Sequence, residues 1–221
     1  MVVGRGLTTE TLTATEVRQL LGQGLDPLPL DGRRLLVIIP DSTRTAPLPL
    51  LFRLLDEQLG GRVTRLDYLV ALGTHPPMSA AAIDRLVGAP AAQRAQLYPK
   101  TEIFNHRWDL PDTLLTIGVI GRGEIARLTD GLLDEEVPVR LNRLILDYDH
   151  LMICGPVFPH EVVGFSGGAK YLFPGIAGAE IINATHWLGA LVTSMKTIGV
   201  KDTPVRRMVH RAAEFVPARA G

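Results

Sequence analysis

Residues 34–47 read RLLVIIPDSTRTAP, and the class of fold is predicted from this segment. The part from Arg34 to Ile39 is mostly apolar without interruption, which is typical of a strand buried on both faces of a parallel sheet. The strand ends at Pro40, and a polar loop follows from Asp41 to Pro47. Because ligands bind at the carboxyl ends of strands in open α/β sheets, this pattern predicts a site in that loop.

Two further strands end in the same way. The strand predicted from Val63 to Leu72 is followed by Thr74 and His75, and the strand from His150 to Val157 leads into a segment rich in glycine. The carboxyl ends of parallel strands meet at one edge of a sheet, so the polar segments after these three strands are expected to lie together. Together they indicate a site more strongly than any one of them does. We therefore predict an α/β fold with a Rossmann-like, mostly parallel sheet, flanking helices, and a site at the carboxyl ends of the strands.

Composition limits the classes of partner. The chain has 221 residues, of which 46% are hydrophobic and 21% charged, as expected for a globular protein with a real core. Lys and Arg total 23, as do Asp and Glu, so the basic excess that marks a nucleic-acid partner is missing. The only cysteine, Cys154, excludes an internal disulfide. The sequence shows neither a signal peptide nor a membrane span of roughly 20 apolar residues, and we expect a cytoplasmic protein without a membrane partner.

The segment from Pro159 to Trp187 has the composition of a cofactor site. It contains two histidines and one lysine among five glycines: His160, His186, Lys170, Gly164, Gly167, Gly168, Gly175 and Gly178. Glycine lets the backbone approach a ligand closely, while histidine and lysine supply proton transfer, metal ligation or a covalent amine. The Walker pattern is not met, because Ala169 and Tyr171 flank the lysine. The turn from Ser166 to Gly168 can still offer N–H groups to a phosphate.

Several residues in these loops can also be explained without a functional role. Asp41 or Ser42 can cap the helix predicted from Leu48 to Leu59, with Arg44 as a solvated charge. Lys170 is a phosphate ligand, a Schiff-base amine, a modified residue or a plain surface lysine. Taken alone, the position of His186 beside Trp187 favours the interpretation that it is a buried structural histidine. The sequence has no HxH or HExxH spacing, so a metal there needs ligands from a cofactor.

The middle of the chain carries less information. His106 is predicted to be exposed beside Arg107 and Asp109, and Trp108 is not placed in the site. A strand is predicted from Leu114 to Ile120, and the GRG turn that follows predicts a hairpin.

The motifs DSTRTAP, ALGTHPPMS and PHEVVGFSGGAKYLFPGIAG, followed by His186, resemble the lactate racemase family from about Arg33 to Pro204. This resemblance implies an isomerase: a racemase or epimerase of a 2-hydroxy acid that uses a nickel-pincer nucleotide. That cofactor is nickel held by a pyridinium bis-thio-carboxylate mononucleotide. The implied partners are the small-molecule substrate and the enzymes that make the cofactor.

The resemblance also implies a role for each motif residue. Lys170 would hold the cofactor through a thioamide link, and His186 would ligate nickel. His75 and His160 would be the paired acid/base residues, and Arg44 would orient or polarise the substrate. The nucleotide would be held by the remaining motif residues: Asp41, Ser42, Thr43, Ser166, Gly167 and Gly168.

This sequence departs from the family pattern in two respects. Pro76 follows His75 where the lactate-specific members have a basic residue, so a 2-hydroxy acid other than lactate is expected. Family members also continue into a second domain, and residues 1–221 are expected to be the amino-terminal cofactor-binding and catalytic domain without it. Two alternatives stay open: a nucleotide- or cofactor-binding module without activity of its own, and a pyridoxal-phosphate enzyme that uses Lys170.

Overall fold

The computed structural model describes residues 2–216, in which helices and strands alternate along much of the chain. The strands are β1 (Arg34–Pro40), β2 (Arg65–Ala71), β3 (Ile103–Asn105), β4 (Leu114–Ile120), β5 (Val137–Asn142), β6 (His150–Ile153), β7 (Pro159–His160) and β8 (Gly164–Phe165). The α-helices are α1 (Ala14–Leu25), α2 (Leu48–Leu59), α3 (Ala80–Val87), α4 (Ala91–Leu97), α5 (Arg122–Leu128), α6 (Ala179–Val192), α7 (Ser194–Thr197) and α8 (Pro204–Ala213). Short 3-10 helices cover Pro111–Thr113, Arg143–Asp147 and Gly168–Tyr171.

The main sheet has four parallel strands in the order β3, β2, β1, β6. Every residue of β1 after Arg34 is buried. Successive side chains point to opposite faces of the sheet, so Leu36 and Ile38 join one hydrophobic cluster while Val37 and Ile39 join the other. The prediction of a parallel α/β sheet with a strand buried on both faces is confirmed.

Helices cover both faces of this sheet. On one face, α2 contributes Phe52 and Leu55 to a cluster shared with α1 and α3. On the other face, α6 and α8 pack through Leu188 and Met208. The predicted bounds of α2 are confirmed. The hydroxyl of Ser79 accepts a hydrogen bond from the backbone N–H of Ala82 and caps α3. Within residues 2–216, the structure has no helix that is both long and apolar enough to cross a membrane.

The region after β4 differs from the prediction. Strands β4 and β5 pair antiparallel, but the GRG turn does not form a hairpin. Gly121 instead caps the amino-terminal end of α5, which separates the two strands. The strand β6 is also shorter than predicted, because the chain leaves the sheet after Cys154 and Pro156 has no N–H group to extend the ladder.

His106 is buried, and the prediction of an exposed histidine is wrong. Its side chain is 0% exposed, with Nε2–H donating to the carbonyl oxygen of Ala177 at 3.1 Å. Nδ1 accepts from the side-chain amide of Asn142 at 3.0 Å. Burial lowers the pKa of His106 to about 4, so the ring is neutral and joins the edge of the main sheet to the loop before α6.

Candidate active site

The carboxyl ends of β1 and β2, the segment after β6, and helix α6 enclose one cavity of about 220 Å³. All but two of the predicted site residues line it: Asp41, Thr43, Arg44, His75, His160, Ser166, Gly167, Lys170 and His186. Ser42 and Gly168 are not among the lining residues. The parallel sheet therefore brings the three polar loops together at one edge, as the sequence predicted.

Asp41 is tied to His75 at the end of β1. One carboxylate oxygen lies 2.6 Å from Nδ1 of His75. The other accepts from the backbone N–H of Thr43 at 3.0 Å and from its hydroxyl at 2.5 Å. Burial alone would raise the pKa of Asp41, but the hydrogen bonds from Thr43 and His75 outweigh it and lower that pKa. Asp41 is therefore an ionised carboxylate whose two oxygens both accept hydrogen bonds.

The loop that carries His75 is held by Asn105, the last residue of β3, and by Trp108, which follows that strand. The indole Nε1–H of Trp108 donates to the carbonyl oxygen of His75 at 3.1 Å. The side chain of Asn105 accepts from the N–H of Met78 and donates to its carbonyl oxygen, both at 2.9 Å. The His75 side chain itself remains 51% exposed. No motif in the sequence points to Asn105 or Trp108, and their position at and just after an edge strand was the only signal that could have found them.

His160, at the end of β7, is buried in the wall of the cavity. Its Nδ1 accepts a hydrogen bond from the backbone N–H of Val162 at 3.1 Å. Burial, and after it the positive charge of Lys170, lowers the pKa of His160 to about 4. The imidazole is therefore neutral near pH 7.

Lys170 lies in the 3-10 helix Gly168–Tyr171 and faces the same cavity. Burial lowers the pKa of its amine to about 8, and the guanidinium of Arg44 acts in the same direction. A solvated surface lysine would titrate near 10.4. The reading of Lys170 as a plain surface lysine is wrong, because its side chain is partly buried and lines the cavity. The lowered pKa leaves a larger share of the amine neutral, and hence nucleophilic, than in a solvated lysine.

The hydroxyl and the backbone N–H of Ser166 form hydrogen bonds within its own loop. Its hydroxyl accepts from the N–H of Phe158 at 3.0 Å and donates to the carbonyl oxygen of Pro156 at 3.3 Å. Its backbone N–H donates to the carbonyl oxygen of Phe158 at 2.8 Å. The prediction that this turn holds a phosphate therefore depends on Gly167 and Gly168, both of which have positive φ.

His186 is exposed on α6 beside Trp187, which is 60% exposed, so the reading of a buried structural histidine is wrong. Nδ1–H of His186 donates to the carbonyl oxygen of Ile182 at 2.7 Å. This bond fixes the neutral tautomer whose free lone pair is on Nε2, as is usual for histidines that bind metals. In residues 2–216, no three side chains of His, Cys, Asp or Glu lie close enough to hold a metal.

Arg206 on α8 supports the site from behind. Its side chain is 7% exposed, and its guanidinium donates to the carbonyl oxygens of Val163, at 3.3 Å, and Phe165. These carbonyls belong to the segment that leads into the turn at Ser166. This contact was not predictable from the sequence, because nothing in the pattern of α8 separates a buried arginine from its more exposed neighbours.

The chain is similar to known proteins in sequence and in fold. A sequence model of the family described as "Lactate racemase N-terminal domain" matches residues 13–199. The lactate racemase of Thermoanaerobacterium thermosaccharolyticum is 27% identical over 191 residues, which are 83% of this chain and 40% of that protein. A crystal structure of a protein from Thermotoga maritima superposes with a TM-score of 0.81 at 31% identity, over 96% of this chain and 49% of the other.

A further structure shares the fold. The lactate racemase apoprotein from Thermoanaerobacterium thermosaccharolyticum superposes with a TM-score of 0.63 at 24% identity, over 84% of this chain and 41% of the other. The chain thus spans about half or less of the length of these proteins. The matched residues 13–199 include every predicted site residue from Asp41 to His186. This chain belongs to the family of lactate racemase N-terminal domains.

Proposed function

We propose that this chain forms the cofactor-binding and acid/base part of a nickel-pincer nucleotide-dependent racemase or epimerase of a 2-hydroxy acid. One observation carries the proposal: His75, His160, Lys170 and His186 line a single cavity in the part of the chain that matches the family. Pro76, next to His75, supports a substrate other than lactate.

The side chains present fit this cofactor. Lys170 offers a partly neutral amine for a covalent link, and His186 offers a free Nε2 for a metal. Since residues 2–216 supply no cluster of three protein ligands, a metal beside His186 would take its other ligands from the cofactor. Gly167 and Gly168 would let the backbone approach the nucleotide. When bound, the pincer group supplies an acceptor for the hydride on C2 of the substrate.

His75 is the residue best placed to take the proton of the substrate hydroxyl. Asp41 receives its Nδ1–H, so Nε2 is free to accept, and the imidazolium that forms is stabilised by the adjacent carboxylate. Inversion at C2 requires that protons be handled on both faces of the substrate, and His160 lines the same cavity as the second histidine.

Arg44 is suited to bind the substrate carboxylate. Its guanidinium is planar, permanently charged and able to make two parallel hydrogen bonds to a carboxylate. In the structure it lines the cavity and lies 5.9 Å from the ring centre of Phe158, a contact that orients it without neutralising it.

A second candidate is a binding module without activity of its own. The observation that favours it is the exposure of His75, whose side chain lines the cavity and is nevertheless 51% exposed. A pyridoxal-phosphate enzyme stays the third alternative, since the Lys170 amine would also form a Schiff base.

Co-expression with the enzymes that make the cofactor tests the proposal. Intact mass and nickel analysis should show a covalent adduct and bound nickel in the parent protein. Lys170→Ala should abolish the adduct, whereas Lys196→Ala, at an exposed position on α7, should keep it. His186→Ala should lose nickel without loss of folding.

The outcomes separate the three candidates. Unmodified protein without nickel contradicts the pincer proposal. Protein that holds the cofactor but racemises no 2-hydroxy acid in a substrate panel supports the binding module. A yellow chromophore that borohydride fixes to Lys170 supports the pyridoxal-phosphate alternative.

A further inference from the structure

The geometry points to two histidines fixed in opposite tautomers: His75 is the base of the resting site, positioned by Asp41, while His160 carries its proton on Nε2 and offers it as a hydrogen-bond donor. This inference rests on the proposed function for its catalytic meaning. It assigns Asp41 to the positioning of His75, in place of the nucleotide contact that the family resemblance implied.

Asp41 determines the tautomer of His75. An ionised carboxylate only accepts hydrogen bonds, so the proton between the two groups sits on Nδ1 of His75, 2.6 Å from the carboxylate oxygen. The neutral ring then has its lone pair on Nε2. Thr43 donates two hydrogen bonds to the other carboxylate oxygen, and these bonds restrict the rotation of the carboxylate.

Val162 determines the tautomer of His160 in the opposite sense. A backbone N–H only donates, so Nδ1 of His160, 3.1 Å from that nitrogen, must carry the lone pair. The Glu161 carboxylate lies 3.4 Å from the same Nδ1 and would favour a proton there. The amide contact is shorter, and the Glu161 side chain is 65% exposed to competing water, so the amide decides.

The two rings therefore have different chemistry. A neutral imidazole that loses its Nε2 proton becomes an anion, so His160 in this arrangement polarises a substrate oxygen by hydrogen bonding rather than by proton transfer. The hydroxyl proton passes to Nε2 of His75, which becomes an imidazolium facing Asp41. His160 becomes a base only after its ring releases the Val162 amide, so proton transfer on its face of the substrate requires an additional step.

Two-bond ¹H–¹⁵N correlation spectra at pH 8 test the assignment, because protonated and unprotonated ring nitrogens resonate in separate ranges. His75→Gln and His160→Gln variants identify the two sets of signals. In the parent protein we expect a protonated Nδ1 on His75 and a protonated Nε2 on His160. The same tautomer in both rings, or a doubly protonated ring, would overturn the inference.

The Asp41→Asn variant tests the positioning role. An amide both donates and accepts, so His75 should change from one tautomer to a mixture while His160 keeps its own. Thr43→Val removes one bond to the carboxylate and should leave the His75 tautomer unchanged. An unchanged His75 in Asp41→Asn contradicts the role of Asp41. If Asp41→Asn does not fold, the spectrum of the parent protein still decides between the tautomers.

Binding measurements add a readout that needs no turnover. With pyruvate as a probe, His160→Gln keeps an N–H donor and should bind within a few-fold of the parent protein, whereas His160→Ala should bind at least tenfold more weakly. Equal weakening in both variants contradicts hydrogen-bond donation by His160. The predicted tautomers in a protein that never acquires the cofactor would refute the proposed function and leave the tautomer assignment standing.

Discussion

Nδ1 of His106 lies 3.0 Å from the side-chain amide of Asn142, and both residues are buried between the main sheet and the loop before α6. The amide nitrogen donates, so the histidine must be neutral at Nδ1, and its Nε2–H is already committed to Ala177. Protonation would place a charge where no acceptor is ready for it.

Acid should therefore destabilise the protein from about pH 6.5 downward, before most carboxylates begin to titrate. The pKa of His106 is lowered to about 4 in the folded protein, whereas an unfolded histidine titrates near 6.5. The unfolded chain thus binds the proton first, and the free energy of unfolding falls between about pH 6.5 and pH 4. The full effect is on the order of 3 kcal/mol.

Urea unfolding across this pH range checks the expectation. His160 contributes a second loss in the same window, because its pKa is also lowered to about 4. His106→Gln should be less stable at pH 7 yet lose roughly half as much stability on acidification. An equally steep acid dependence in that variant would show that other groups are responsible.

The Lys170 amine should titrate far below a normal lysine. After methylation with ¹³C-formaldehyde, the dimethyl-lysine signal of Lys170 should move through its midpoint near pH 8, since burial and Arg44 lower the pKa to about 8. Arg44→Met should raise that midpoint. Arg53→Met, which removes an exposed arginine of α2, is the matched control and should leave it in place. A midpoint near pH 10 in the parent protein would refute the assignment.

Two glycines in the central segment should differ in their tolerance of a methyl group. Gly164 and Gly168 both have positive φ, but a Cβ on Gly164 would collide with the carbonyl oxygen of Val200, whereas a Cβ on Gly168 meets nothing within 4 Å. We expect Gly164→Ala to cost about 3 kcal/mol or more and Gly168→Ala about 1 kcal/mol. Denaturant unfolding measures both free-energy costs. Equal costs would mean that the positive φ alone, and not the collision with Val200, determines the loss of stability.

The clamp of Asn105 on Met78 should determine how firmly the His75 loop is held. Asn105→Ala leaves the N–H and carbonyl groups of Met78 without their partner, which costs about 2 kcal/mol. Amide hydrogen exchange in residues 73–78 should become faster, while Asn183→Ala, on the exposed face of α6, should leave it unchanged. Unaltered exchange in Asn105→Ala would show that Trp108 suffices.

Sequence patterns predicted the parts of the fold that local physics determines. The apolar run of β1 indicated burial on both faces, and α2 and β4 have the bounds predicted for them. The region between β4 and β5 was less predictable, because GRG is compatible both with a tight turn and with the start of a helix. Only the packing of Ile125 on α5 against the core decides between them.

The candidate site was predictable where residues follow a strand directly, as His75 and Arg44 do. Its supporting contacts were not, because each joins segments that are distant in sequence. The bond from Trp108 to His75 spans 33 positions, and that from Asn142 to His106 spans 36. A side chain such as His106 has no local feature that separates burial from exposure.

The position of Arg206 has a practical consequence for dissecting proteins of this family. The family match ends at residue 199, yet α8 begins at Pro204 and delivers the guanidinium that fixes the carbonyls of Val163 and Phe165. A recombinant fragment cut at the end of the match would retain every motif residue. It would lose the arginine that supports the turn from Ser166 to Gly168. Fragments intended for binding studies should therefore extend through Ala213.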